Sequence, residues 1–235
     1  MKYLLMLHRT IVKTMLLNVF PTKVKCGVIE PSQSDLEASL RVLNEYWEHS
    51  SRADYGLETG WSTGSQRGGK ELFDHTELDW LTHPIMEAAA DYWRYDLNYR
   101  RDYHIYMDSM WANKHLEGDT TGPHCHMSGG RSKSHVSIVY YLKKTEHAGN
   151  LEFKNPLEQI VRMCPLNEDY DDWARDSAHH QGISYDWQEV DAKSYDYVIF
   201  PSWLKHRTQP SKGDRIAISI NVAGCTIDPA EGDFD

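Results

Sequence analysis

The sequence predicts a mainly β chain with flanking helices, an α+β protein in which an antiparallel sandwich or jelly roll is buttressed by N-terminal helices. Three observations carry this. From about residue 103 the chain breaks into short β-rich runs separated by turn residues. Most of those runs have no helix-length apolar pattern between them, which argues against a parallel α/β sheet. Upstream, apolar residues recur at helical rather than alternating spacing.

Residues 1–17 begin with Leu4, Leu5, Met6 and Leu7, but His8, Arg9 and Lys13 interrupt the apolar run and no small-residue cleavage site follows. They read as an N-terminal extension, with Met15 as the natural start and 18–235 as a single domain. Ser34-x-x-Glu37 has the form of a capping box, and Leu36, Leu40, Leu43 and Trp47 then share one helical face. A second helix is expected to begin near Pro84, a residue favoured in the first turn, and to continue through Ile85, Ala88, Ala89 and Tyr92. Together these give helical support over 32–97.

The jelly-roll core, 103–224, has its strands expected at 105–112, 136–142, 151–153, 195–200 and 215–222. In the last of them Ile216, Ile218, Ile220 and Val222 alternate with Arg215, Ala217, Ser219 and Asn221. A period of two sends these sets to opposite faces. The aliphatic set should pack on the helices and the polar set should line a polar interior. Between 155 and 194 lies a long excursion. Its stretch 167–191 carries eight acids against one base, Arg175, and four large aromatics, Tyr170, Trp173, Tyr185 and Trp187. Long loops of this kind are often lids or binding loops, and this one would suit a cationic or peptide partner.

Composition narrows the function classes. Hydrophobic residues make up 40% and charged residues 26%, enough for a sizeable core. The formal net charge of −10 repels phosphate backbones, and no basic groove offsets it, so no nucleic-acid partner is expected. No run approaches the ~18 apolar residues of a membrane span. Cys26, Cys125, Cys164 and Cys225 lie far apart with no Cys-x-x-Cys, which indicates neither a disulfide framework nor a zinc ribbon. A reducing cytoplasm fits best.

The chemistry lies in three places. Gly122-Pro123-His124-Cys125-His126 sets two imidazoles two residues apart, on one side if the segment is a strand. Phe200-Pro201-Ser202-Trp203-Leu204-Lys205-His206 ends a strand with a third, and Arg215 follows nine residues later. The turn formers Pro210, Ser211, Lys212, Gly213 and Asp214 suggest a hairpin that pairs the two segments and brings Arg215 into the interior of His206. Three ligands on one face of an iron leave three positions open, as in the facial triad of non-haem Fe(II) oxygenases. A keto diacid fills two of them, and its far carboxylate then needs a fixed cation. Arginine suits that task, because its planar fork grips a carboxylate with two charge-assisted hydrogen bonds.

The stretch 111–222 resembles the Fe(II)/2-oxoglutarate-dependent oxygenases, specifically the prolyl-hydroxylase-like branch. More narrowly, it is similar to a group from marine bacteria and phages that shows Trp-x-Asn, His-x-His, Tyr-Tyr-Leu and Phe-Pro-Ser-Trp-Leu-x-His. The matching residues are Trp111-Ala112-Asn113, His124-Cys125-His126, Tyr140-Tyr141-Leu142 and Phe200 through His206. Phe20-Pro21-Thr22 resembles the group's N-terminus, which supports Met15 as the start. The resemblance implies a double-stranded β-helix of cupin-like form, Fe(II) as metal, and 2-oxoglutarate and O2 as cosubstrates. It implies hydroxylation of a substrate it does not identify, coupled to decarboxylation of 2-oxoglutarate to succinate and CO2; the acidic aromatic loop makes a peptide or protein side chain the candidate. His124 and His206 match the metal-binding histidines. Tyr141 and Arg215 match the holders of the distal carboxylate, and Ser219 and Asn113 match polar positions beside the cosubstrate. Ala217 departs from the Arg-x-Ser often seen in the superfamily.

His126 is the larger departure, because the usual pattern has Asp or Glu there. Three imidazoles would leave the ion its full two positive charges, which dianionic 2-oxoglutarate then neutralises. An open coordination position, or a carboxylate reaching in from Glu117 or Asp119, are the alternatives. A cupin-like or zinc enzyme could use the same histidines, but it has no call for Arg215 or Tyr141, and cupins usually place a Glu a few residues on, where 127–135 have none. A non-catalytic jelly roll is the least favoured reading.

Overall fold

The structure, a computed structural model, describes residues 21–50, 52–55, 58–65, 71–127, 134–157 and 187–226. Its strands are β1 (Lys25–Val28), β2 (Ala53–Tyr55), β3 (Glu58–Ser62), β4 (His104–His115), β5 (Val136–Lys144), β6 (Leu151–Lys154), β7 (Trp187–Val190), β8 (Asp196–Pro201), β9 (His206–Thr208) and β10 (Arg215–Cys225). The helices are α1 (Gln33–Glu48) and α2 (Asp79–Asp91). A seven-stranded sheet runs β1-β8-β5-β10-β4-β3-β2 and a three-stranded sheet runs β7-β6-β9. Every pairing in both is antiparallel. This is the jelly-roll arrangement of the expected fold class.

The alternation along β10 explains how the layers stack. Ile216, Ile218, Ile220 and Val222 join Val42, Leu43, Leu81, Ile85 and Ala89 of the two helices in one buried cluster. Burial of each such aliphatic contributes roughly 1.5–3 kcal/mol. On the other face Ala217 joins Tyr141, Val198, Phe200, Leu204, Leu151 and Phe153, drawn from both sheets, in a second cluster. That second layer is the interior of the sandwich. Arg215, Ser219 and Asn221 are all buried in it.

Several local expectations are corrected. The α1 cap is Ser32, whose Oγ accepts from the Asp35 amide at 3.2 Å, not Ser34, which lies inside the helix. Helix α2 begins at Asp79, so Pro84 is its sixth residue. Two 3-10 turns, Leu72–Asp74 and Thr76–Leu78, deliver the chain into the helix early, and Pro84 then forfeits only the bond to the Trp80 carbonyl. The stretch 32–97 is not wholly helical, since β2 and β3 interrupt it and β3 extends the large sheet through β4. β9 and β10 do not form a hairpin. β10 already has β4 and β5 on its two edges, so β9 pairs with β6 in the other sheet. The connecting turn crosses between sheets, pinned by amide bonds from Gln209 to Asn150 O, Ser211 to Asp119 O and Lys212 to His147 O at 2.9–3.0 Å. The extension 1–17 and most of the acidic stretch 167–191 lie outside the described residues. No helix among the described residues is long and apolar enough to cross a membrane.

Candidate metal centre

The segment 121–127 is not a regular strand. It lies against the chain around 202–208 through an antiparallel bridge between His124 and His206, in which each amide donates to the other's carbonyl at 2.9 Å. The His126 amide donates to Ser202 O at 3.0 Å. These bonds bring three imidazoles from two separate segments together. Ligand atoms of His124, His126 and His206 all lie within 4.8 Å of one another. Glu117, Asp119 and Cys125 are not in the cluster, and no carboxylate joins it among the described residues. Asp119 is instead buried, with Arg52 Nη2 donating to its Oδ1 at 2.5 Å and the Leu116 amide to its Oδ2 at 2.9 Å.

The imidazoles are set up as ligands. His124 Nδ1 donates to Gly122 O and His206 Nδ1 donates to Leu204 O, both at 2.9 Å. Each bond fixes the tautomer that leaves Nε2 bare. His126 Nε2 and His206 Nε2 stand 3.1 Å apart. That separation is short enough for both rings to share one ion. Burial, followed by the neighbouring His124, lowers the pKa of His206 to about 3 and of His126 to about 4. Both are therefore neutral electron-pair donors at neutral pH. Trp111 stacks on His126 with centroids 5.5 Å apart, and Phe200 sets its ring edgewise to His206 at 4.8 Å.

Arg215 lies in the same interior, 2% exposed. Its Nη1 donates to Gly149 O at 2.9 Å and its Nη2 to His115 Nδ1. No carboxylate pairs with it among the described residues, and burial lowers its pKa. Among the described residues its Nε is buried without a partner, and so is the hydroxyl of the fully buried Tyr141. An unpaired buried guanidinium is costly, and orphaned buried donors are rare in native folds. One anion shared by Arg215 Nε and Tyr141 Oη would satisfy both. Arg215 lies at the first position of β10, opposite His115. Ala217 follows opposite Asn113 and Tyr141, then Ser219 opposite Trp111 and Val139. The predicted residues Asn113 and Ser219 therefore occupy the inner wall between the guanidinium and the Trp111–His126 stack. The four strand steps from Arg215 to Ser219 span roughly 13 Å.

Sequence reasoning missed His115, Gly149 and the buried hydroxyl–amide chain in which Ser202 Oγ lies 2.8 Å from Ser137 Oγ, which donates to Asn221 Oδ1 at 3.0 Å. The spacing of His115 two residues past Asn113 puts it on the same face of β4, but only the β4–β10 register sets it opposite Arg215.

Residues 109–221 match the family model described as "Putative 2OG-Fe(II) oxygenase". That stretch, a little under half of the chain, is similar to the 2OG-Fe(II) oxygenases. Fe(II), 2-oxoglutarate and O2 are the metal and cosubstrates of those enzymes. Solved structures of similar fold include a Pseudomonas putida prolyl-4-hydroxylase, 11% identical with a TM-score of 0.52, covering 86% of this chain and 92% of that one. AviO1 from Streptomyces viridochromogenes Tue57 is 15% identical with a TM-score of 0.52, covering 90% of this chain and 92% of that one. A prolyl hydroxylase from Trichoplax adhaerens, in complex with a hypoxia inducible factor peptide fragment, is 14% identical with a TM-score of 0.50, covering 85% and 82%. No curated protein matches the chain in sequence.

His115 is expected to make the fold sensitive to acid. Burial, and then the Arg215 charge, lower its pKa to about 3, with Asp119 opposing. In the unfolded chain it titrates near ~6.5. Below that pH the unfolded state takes up a proton that the folded state refuses, so stability is lost as pH falls from ~6.5 toward 3. The full slope is about 1.4 kcal/mol per pH unit for one such group. Melting temperatures recorded between pH 7 and 4 should fall, and His115→Asn should flatten the decline. An unchanged slope would mean that His115 is not held neutral.

Proposed function

We propose that this chain is an Fe(II)- and 2-oxoglutarate-dependent hydroxylase, with His124, His126 and His206 as metal ligands and Arg215 and Tyr141 as holders of the distal carboxylate. The observation that carries the reading is the buried Arg215, which has no carboxylate partner among the described residues and stands in the same interior as three clustered imidazoles. When bound, Fe(II) with O2 and 2-oxoglutarate supplies an oxidation in which one oxygen atom enters a substrate C–H bond and the other enters succinate as CO2 is lost.

The protein's own residues supply placement. The Nδ1 bonds of His124 and His206 orient the rings and leave their Nε2 lone pairs to a ligand. Trp111 covers the His126 ring, and Phe200 and Phe153 lie against that of His206, which limits the approach of water. Arg215 and Tyr141 fix the far end of the diacid, so its keto-acid end meets the metal in one orientation. Asn113 and Ser219 offer polar contacts along the way. A peptide or protein side chain is the proposed substrate, supported by the acids and aromatics of 167–191.

The test is direct. Under argon, Fe(II) plus 2-oxoglutarate should produce a visible charge-transfer band. In air, succinate should form only when both are present, and basic peptides should raise the rate more than acidic ones. No band and no metal-dependent succinate would defeat the assignment, and equal stimulation would remove the cationic-peptide preference.

A further inference from the structure

We propose that His115 is a positioning residue that acts as a neutral stop behind the Arg215 guanidinium and thereby sets the length of keto diacid the site accepts. The inference rests on the reading of Arg215 and Tyr141 as holders of the distal carboxylate.

Arg215 and His115 are direct partners across β10 and β4, so their side chains share the inner face. The guanidinium is tied at two corners to two elements, to His115 Nδ1 and to Gly149 O. His115 in turn has little room to withdraw. It is 2% exposed, and its Nε2 faces Thr121 Oγ1 at 3.4 Å. Behind it Gly60 has φ of +101°, and a Cβ there would stand 2.8 Å from His115 Cδ2 and 2.7 Å from Lys114 O. The backbone of β3 is thus pressed against the imidazole at a position only glycine fills. Gly60, His115 and Arg215 form a rigid stack, and the orphaned Nε of Arg215 is left for a ligand.

The chemistry of the stop matters as much as its position. A neutral imidazole accepts from the guanidinium and leaves its charge available to an incoming carboxylate. A carboxylate at the same place would neutralise Arg215 and compete with the ligand. Asp119, whose charge reaches His115, is already held by Arg52 and the Leu116 amide. With Arg215 unable to retreat, a diacid one methylene longer cannot seat both ends.

The experiment compares wild type with His115→Ala, His115→Asn and His115→Asp, each loaded with Mn(II). Thermal shifts and calorimetric titrations are recorded with 2-oxoglutarate and with 2-oxoadipate, and steady-state kinetics with Fe(II) are run beside them. Wild type should favour 2-oxoglutarate. His115→Ala should weaken 2-oxoglutarate by about 10-fold in KM with kcat little changed, and move the preference toward 2-oxoadipate by about 10-fold. His115→Asn, which keeps a neutral acceptor, should retain the wild-type preference. Its isostere His115→Asp should lose 2-oxoglutarate binding by at least ~10-fold. An unchanged preference in His115→Ala overturns the proposal. If that variant does not fold, equal 2-oxoglutarate binding by the Asn and Asp variants overturns it instead. Wild type that binds neither diacid brings down the reading of the site itself.

Discussion

Replacing Arg215 by leucine should raise the 2-oxoglutarate concentration needed for half-maximal succinate formation by at least ~100-fold. A hydrogen bond to a charged group is worth about 1.5–3 kcal/mol, and loss of a two-pronged contact with a carboxylate about twice that. Every 1.4 kcal/mol is a factor of ten, so the expected range is roughly 100-fold to 10,000-fold. Tyr141→Phe deletes one neutral donor and should cost nearer 10-fold. Arg215→Lys should not rescue, because an ammonium has no fork. The control is the stability of the protein without cosubstrate. Arg215 is a buried cation with no anionic partner among the described residues, so its removal eliminates a desolvation cost even as it strands Gly149 O and His115 Nδ1. These effects oppose each other. The melting temperature should therefore move little, while the stabilisation conferred by 2-oxoglutarate disappears. A leucine variant that still saturates at the wild-type concentration would show that the diacid is anchored elsewhere.

The second large effect concerns the imidazoles. His206→Ala should abolish the anaerobic charge-transfer band and lower Fe(II) affinity by more than ~100-fold, since changes one shell further out already cost 10–100-fold. His124→Ala should behave alike. His126 is the informative position. His126→Asp restores the two-histidine, one-carboxylate facial set of many non-haem iron enzymes and should keep the metal, whereas His126→Ala should weaken it. Direct metal titration under anaerobic conditions distinguishes these cases. If His126→Ala binds Fe(II) as tightly as wild type, two imidazoles suffice and His126 is a bystander. Unaltered affinity in His206→Ala would remove the metal centre from this part of the molecule.

How far these features could be read from the chain depends on which physical signal each leaves. β10 was legible because its two faces differ in chemistry, so one alternating run predicted both the helix-packing side and the polar interior. His124, His126 and His206 were legible as residue types at suggestive spacings. The isolated bridge that joins them leaves no propensity signal, and neither do the caps supplied by Gly122 O and Leu204 O. The predicted pairing of His206 with Arg215 was wrong in route though right in destination. Turn formers mark where a chain reverses and do not say into which sheet it goes. Short strands such as β2 and β3 are too brief to show alternation. The start of α2 was misplaced because a proline in the sixth position costs only one bond. His115 could not be singled out, since its role comes from strand register, a long-range property.

The two irregularities of β10 have a practical consequence. Its register shifts against β5 between Ile216 and Ala217, and against β4 between Asn221 and Val222. Between those points a single-residue deletion would exchange inward and outward positions over the rest of the strand, removing greasy contacts and reactive groups at once. Evolvability is thus unevenly distributed. An engineer who wants this scaffold to accept a new molecule should leave the central strand untouched and vary the turns, where a change in shape need not become a loss of folding.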